Sequence, residues 1–225
     1  MQKYIIVAID GPAASGKSTV AKKLADKLKF LYVDTGAMYR AITYFAQEEN
    51  IENNEQAVID AVKKLNLELK YNNGITSVFI DGLDITEKIR TPKVNSKVSD
   101  ISRIKEVRTE LVKLQRKFGE NNNLIVEGRD TTTVVFPNAD VKIYLTADAK
   151  ERAKRRFIEY KDKGIDVSQD EVEKSLLNRD AIDSTREVSP LTKAEDAFEI
   201  DTTNLTVDQE IDKIVEKIKY IKSKI

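Results

Sequence analysis

Five short stretches of this chain are almost wholly apolar: Tyr4–Ile9, Phe30–Val33, Leu124–Val126, Val141–Leu145 and Phe198–Ile200. Unbroken apolar runs of this length, rich in Val and Ile, predict strands covered on both faces, as parallel strands are. Between them, apolar residues return every three or four positions. Val20, Leu24 and Leu28 do so, as do Ile104, Val107, Leu111, Leu114 and Phe118. So do Val207, Ile211, Ile214, Ile218 and Ile221 near the C-terminus. That spacing lays one apolar stripe along a helix. Strands alternating with helices predict a three-layer α/β/α fold around a five-stranded parallel sheet.

The interval between the second and third apolar runs is too long for a simple crossover, and it has a pattern of its own. Leu67–Tyr71 and Thr76–Ile80 flank Asn72-Asn73-Gly74, a hairpin signal, and Asp81-Gly82 marks a second turn before Leu83–Ile85. This predicts a small antiparallel sheet inserted into the parallel fold. A surface excursion without a role is the plainer alternative. A second punctuated stretch begins near Asp148. Its run Glu151-Arg152-Ala153-Lys154-Arg155-Arg156 has Ala149, Ala153 and Phe157 on the opposite stripe. A solvated helix face is one reading of such a charge run.

Gly11 to Ser18 reads GPAASGKS and fits the phosphate-loop pattern G-x-x-x-x-G-K-[ST] at every fixed position. The first apolar run precedes it and the Val20/Leu24/Leu28 helix follows, which is the setting that pattern requires. Backbone N–H groups along Gly11, Pro12, Ala13, Ala14, Ser15, Gly16, Lys17, Ser18 and Thr19 are expected to wrap the phosphates of ATP, proline excepted because it has none. The helix N-terminus adds partial positive charge. Lys17 is expected on the β/γ oxygens and the Ser18 hydroxyl on Mg2+.

Composition narrows the chemistry. The 225 residues contain no His and no Cys. Imidazole acid–base catalysis, thiolate nucleophiles, disulfides and zinc–thiolate sites are therefore excluded. What remains is carboxylates, cations, backbone dipoles and a borrowed metal ion, which suffice for phosphoryl transfer. Lys+Arg and Asp+Glu are 38 each, so the basic excess of a nucleic-acid binder is missing. No apolar stretch approaches the roughly 18 residues of a membrane span, and the N-terminal run is too short for a signal segment. The expected location is the cytoplasm, with no nucleic acid, membrane or obligatory protein partner. The phosphate loop alone leaves several functions open: a small-molecule kinase for AMP, UMP or a non-nucleotide acceptor, a nucleotide-dependent switch, or an ATPase. The guanine-reading N-K-x-D motif is absent.

Further motifs carry a resemblance. Asp34-Thr35-Gly36-Ala37-Met38-Tyr39-Arg40 resembles the D-[ST]-G-A-x-Y-R segment of bacterial-type cytidylate kinases. Glu127-Gly128-Arg129-Asp130, followed by Val134-Val135-Phe136-Pro137, resembles their G-R-D segment. Arg152-Ala153-Lys154-Arg155-Arg156 is similar to their lid. Asn178-Arg179-Asp180, Asp183, Arg186 and Ser189-Pro190-Leu191 are similar to their R-D-x-x-D-x-x-R and P-L segment. The similarity runs in order from about Tyr4 to Ile200.

The resemblance implies transfer of the ATP γ-phosphate to CMP or dCMP, with Mg2+ accompanying ATP. It implies a monophosphate-binding insert at about residues 36–103 and a helical lid at about 148–165, within a single P-loop kinase domain spanning 1–225. Lys17, Arg129, Arg152 and Arg155 are then the expected catalytic cations. Ser99, Arg108 and Asp130 are expected at the cytosine, Arg179 and Asp183 at the ribose. Arg40, Arg129 and Arg186 are expected at the acceptor phosphate, with Thr35 beside them. Asp34 is a candidate near Mg2+ and, equally, a helix cap. One departure stands out. Thr131-Thr132-Thr133 occupies the place of Met-Gly-Thr in many relatives, and Thr132 cannot take up φ > 0 cheaply. A different local turn is expected there.

Overall fold

The computed structural model describes residues 4–72 and 75–222. The chain begins β1 (Ile6–Asp10), α1 (Lys17–Leu28), β2 (Leu31–Asp34), α2 (Thr35–Glu48) and α3 (Glu55–Val62). It continues through β3 (Leu67–Asn72), β4 (Ile75–Ile80), β5 (Leu83–Asp84), α4 (Pro92–Ser102) and α5 (Lys105–Lys117). Then come β6 (Leu124–Gly128), β7 (Val141–Thr146), α6 (Ala149–Asp162), α7 (Gln169–Thr185), β8 (Phe198–Asp201) and α8 (Val207–Lys222).

The sheet order is β2-β6-β1-β7-β8, and every pairing is parallel. All five strands expected from the apolar runs are present. Alternate side chains feed two cores. Val7, Ile9, Ile125 and Ile143 pack with Val20 and Leu24 of α1 and with Ile211, Ile214 and Ile218 of α8. Ala8, Val33, Leu124 and Val126 pack on the other face with Val135, Phe136 and partly buried Val112 and Phe118. Strands buried on both faces explain the near-continuous apolar runs. β1 is central, so the loop after it opens between the ends of β6 and β7. Crevices at such carboxyl ends are where sheets of this kind bind ligands.

The second, three-stranded sheet has the order β3-β4-β5 and is antiparallel, with Leu67 opposite Ile80 and Phe79 opposite Asp84. Asp81 (φ 50°) and Gly82 (φ 82°) form the turn between β4 and β5, as the hairpin signal requires. Asn73 and Gly74 of the other expected turn lie outside the described residues. This sheet shares a separate core with α2 to α5, built on Met38, Ile42, Val78, Ile85, Ile101 and Val107. Tyr71 ties it to the main sheet. Its hydroxyl donates to Asp26 at 2.6 Å, and its ring meets Tyr32 edge-on at 5.2 Å.

Local chemistry sets the helix starts. Ser168 and Glu171 form a reciprocal capping box at α7, and Thr91 with Pro92 opens α4. α1 begins on Gly16, which has φ 92° and no side chain to cap it. Its first-turn N–H groups are thus left toward the cleft. Among the described residues no helix is long and apolar enough to cross a membrane.

Candidate active site

A cleft of about 640 Å³ opens over the phosphate loop. Ala14, Ser15, Gly16, Lys17, Ser18 and Thr19 form its floor. Gly11, Pro12 and Ala13 lie behind that floor. Gly11 sits so close to β7 that a Cβ there would be 2.0 Å from the Leu145 carbonyl oxygen, and its φ is 151°. Only glycine fits. Lys17 is buried, and its ammonium donates to the Pro12 carbonyl at 2.6 Å and to Ser15 Oγ at 3.3 Å. Burial, with the nearby Arg129 charge, lowers its pKa well below the usual lysine range.

A wall of arginines rises on one side of the loop. Arg40, Arg129, Arg179 and Arg186 line the cleft with Asp183. Asp183 is buried and holds Arg129 Nε at 3.0 Å, Arg186 at 3.7 Å and Arg179 at 3.9 Å. Burial alone would raise its pKa, but the three guanidinium groups outweigh that and lower it. One carboxylate does not neutralise three cations. Burial and the charge of Arg129 press Arg179 down to about 9, with Arg40 and Arg156 adding to the pressure. Arg179 stays charged at neutral pH, in a site with surplus positive charge. Arg40 Nε, Arg179 Nε and Arg186 Nη2 are buried N–H groups without hydrogen-bond partners. Crowded cations with unused donors favour a multiply charged anion.

Beyond that wall the cleft reaches Tyr39, Val98, Ser102, Arg108 and Asp130. Arg108 and Asp130 form a buried ion pair, and Arg108 also donates to the Ser102 carbonyl at 2.9 Å. The Arg108 guanidinium lies 5.1 Å from the Tyr39 ring centre. Ser99 is elsewhere. It lines a smaller hollow between α4 and α7, with Asn95 and Ile182, and Ser102 occupies the main cleft in its stead. One turn of α4 separates the two serines, and which of them faces the cleft depends on how α4 packs against α2 and α7.

Asp34 caps α2, accepting from Ala37 N at 2.9 Å, and holds Arg40 at 2.8 Å and Arg90 at 3.7 Å. Burial opposes its ionisation, but these arginines prevail and lower its pKa. Its Oδ1 is therefore engaged in capping α2 and its Oδ2 in fixing Arg40 and Arg90, and neither presents a free ligand. Thr35, next in the chain, lines the cleft and donates to the Glu127 carbonyl at 2.7 Å.

Two expected lid arginines diverge. Arg155 lines the cleft, donating to Thr202 O at 2.7 Å, to Thr202 Oγ1 at 3.0 Å and to Glu151 at 3.1 Å. Arg152 does not line it. Its Nε donates to Ala147 O and its Nη1 to Ala13 O, each at 3.0 Å, and it pairs with Asp180. Asp180 in turn accepts from Ala13 N at 3.0 Å. The expectation that Arg152 serves as a catalytic cation thus meets a different geometry, because its guanidinium braces the loop from behind.

Three further buried carboxylates lie at or near the site. Glu127, at the end of β6, is buried, accepts from the Tyr32 hydroxyl, and lies beside Lys17, Ser18 and Asp34. Burial raises its pKa and Asp34 adds to the rise, while Lys17 opposes it. Its signal was available: an acid closing an apolar strand at the ligand end of the sheet. Asp10 closes β1 in the same way and is fully buried. Burial raises its pKa, against the donors of Thr132 and Thr131. Glu210, on α8, lines the far arm of the cleft. Its signal is its position, three residues after Val207 and four before Ile214, which puts an acid on the apolar stripe of the helix.

Fold and site together define a P-loop phosphotransferase-type α/β protein. The model of the cytidylate kinase family matches residues 7–220. Cytidylate kinase from Bacillus subtilis (strain 168) is 48% identical over 97% of this chain and 98% of its own length. Cytidylate kinase from Fusobacterium nucleatum subsp. nucleatum is 51% identical over 97% of this chain and 99% of its own. The crystal structure of an uncharacterized protein from Eubacterium ventriosum shares the fold, with a TM-score of 0.52 at 18% identity, covering 98% of this chain and 99% of that one. The chain belongs to the cytidylate kinase family and is a nucleoside monophosphate kinase.

Proposed function

We propose that this protein transfers the γ-phosphate of ATP to CMP or dCMP, giving ADP and CDP or dCDP. The observation that carries the reading is the surplus of largely buried cations at Arg129, Arg179 and Arg186, which share the one carboxylate of Asp183 beside a phosphate loop. The loop takes one polyphosphate. The arginine wall is a second anion site in line with it, as transfer between two phosphorylated substrates requires.

In this reading the nucleophile is an oxygen of the acceptor phosphate. It is largely ionised at neutral pH, since its second pKa is about 6. No general base is needed, in keeping with the absence of His. Catalysis then consists of holding two anions together and stabilising the charge that spreads over the transferred group. Lys17 and Arg155 act on the donor side, and Arg129 sits between the two phosphates. Arg40 and Arg186 hold the acceptor phosphate, Arg179 and Asp183 the ribose, and Arg108 with Asp130 the base, with Thr35 beside the acceptor. Ser99, in the smaller hollow that shares Arg179 with the main cleft, is a further base contact in this reading.

Among the described residues there is no group of three or more acidic side chains able to hold a metal alone. Ser18 and Glu127 fit a divalent cation that takes its other ligands from the nucleotide and water. Bound Mg2+ would supply charge neutralisation on the β and γ oxygens. Residues 36–103 then form the monophosphate-binding insert and 148–165 the lid, whose closure excludes water. The protein works in the cytoplasm on free nucleotides, without nucleic acid, membrane or an obligatory protein partner.

Turnover of ATP against CMP, dCMP, UMP, AMP, GMP and shikimate tests this. CMP and dCMP are expected to lead. Turnover favouring AMP, GMP or a non-nucleotide acceptor would reject the base-site assignment.

A further inference from the structure

From the phosphate loop the cleft runs in two directions. One arm holds the arginine wall and the Arg108–Asp130 pair described above. The other passes over Gly16 and Thr19 to Leu205, Thr206, Val207 and Glu210. Two substrates meet at the loop and the first arm is matched to the acceptor, so the second arm is left for the base of the donor.

That arm has one feature its own packing does not explain. Glu210 is 2% exposed, yet its Oε2 has no hydrogen-bond partner. The atom lies against the phosphate loop, 3.5 Å from where a Gly16 Cβ would stand. Arg155 Nη1 is 3.8 Å from that same point, but Arg155 gives its hydrogen bonds to Glu151 and Thr202. A buried carboxylate oxygen left unpaired is costly, and the usual compensation is a donor from outside the chain. Leu205 and Val207 offer apolar surface for the faces of a flat ring.

We propose that Glu210 reads the exocyclic amino group of the donor purine and so selects a 6-aminopurine over a 6-oxopurine nucleotide. The proposal rests on the kinase reading above and goes beyond it to the specificity of the donor. An ionised carboxylate only accepts. It pairs with an amino group and repels the carbonyl oxygen that guanine and hypoxanthine carry at the same place. Burial pushes the Glu210 carboxyl up to about 7, against the pull of Arg155, so the discrimination is best measured at pH 8, where it is ionised.

The test uses ATP and ITP, whose bases differ at that position, on the full-length enzyme with CMP as acceptor. Binding of ADP and IDP by calorimetry is measured in parallel without acceptor. Wild-type protein is expected to prefer the amino base about tenfold or more in both kcat/KM and Kd. Glu210→Gln keeps the shape but can turn an N–H toward the ring carbonyl, so its preference is expected to shrink to about threefold or less. Glu210→Ala is expected to lose preference through weaker use of ATP, with the KM for CMP unchanged. A wild type with no preference overturns the proposal. So does a folded Glu210→Gln that loses affinity for ADP and IDP in equal proportion, because that is the mark of a structural role. If CMP is not the acceptor, turnover is absent with both donors. The ADP/IDP ratio still reports on Glu210, so the two failures are distinguishable.

Discussion

Thr132 holds Asp10 twice. Its backbone N–H donates to Asp10 Oδ2 at 2.7 Å and its hydroxyl at 2.6 Å, and Thr131 does the same to Oδ1 at 2.9 and 2.7 Å. The end of the central strand is thereby locked to the segment after Asp130. That segment is a single π-helical turn, Thr131–Val135, in which Val135 N and Phe136 N donate five residues back. Thr132 has no positive φ. The turn therefore needs no glycine here, and the hydroxyl serves a buried carboxylate instead.

Thr132→Gly keeps the N–H and removes the hydroxyl. A hydrogen bond to a charged group is worth about 1.5–3 kcal/mol, and Gly adds backbone entropy to the unfolded chain. A loss of about 2–3 kcal/mol in urea unfolding is expected, with a larger KM for CMP as Asp130 loosens. Unchanged stability would mean that the Asp10 contacts contribute nothing net.

Arg152 and Arg155, three residues apart, should fail differently. Arg152→Ala removes the brace between α6, Ala13 and Asp180 and leaves the largely buried Asp180 without its counter-charge. Breaking such a pair costs about 3–5 kcal/mol, so thermal melting should fall by several degrees and ATP binding should weaken. Arg155→Ala should melt within about two degrees of wild type, since partly exposed pairs contribute about 1 kcal/mol or less. It should lose mainly kcat. Identical melting and kinetic profiles would contradict this division.

Lys17→Ala should fold normally and lose transfer by roughly a thousandfold or more, as removal of a group that stabilises developing charge does. Circular dichroism and single-turnover assays decide this. A folded variant with near-normal turnover would remove the phosphate loop from the mechanism.

Asp130→Asn changes an acceptor-only group into one that also donates. UMP presents a carbonyl where CMP presents an amino group, so the CMP/UMP ratio in kcat/KM should narrow. Stability should fall at the same time, because Arg108 is buried and loses its counter-charge. A ratio that stays wide would take Asp130 out of base recognition.

Glu210 also predicts a pH dependence of stability. Its folded pKa of about 7 lies above the ordinary 4.5, so the folded state holds that proton more tightly than the unfolded chain. The resulting contribution is present below about pH 4.5 and is lost as pH rises through 7. Glu210→Gln should match wild type at pH 4 and exceed it at pH 8, by up to about 3 kcal/mol. Chemical denaturation of the ligand-free protein at the two pH values measures this. An equal difference at both would assign the effect to something other than ionisation.

Wherever the cause was local, the sequence alone was enough. The five strands, the GPAASGKS loop and the Asp81-Gly82 turn follow from short-range rules: continuous apolar runs, the fixed spacing of Gly11, Gly16, Lys17 and Ser18, and φ > 0 where a hairpin must reverse. Asp34 as a cap reads from its place before α2. Tertiary structure decided what depends on residues far apart in the chain. It placed β1 between β6 and β7, and turned Ser102 rather than Ser99 into the main cleft. It set Arg152 behind the loop, against Ala13, 139 residues away, and joined Asp10 to Thr131 and Thr132, 121 and 122 residues away. It also left Glu210 Oε2 buried without a hydrogen-bond partner. A side chain's type states which bonds it can make. Which bonds it does make is settled only when packing brings distant donors, acceptors and charges into one low-dielectric space, and there a shift of one helical turn separates a site residue from a structural one.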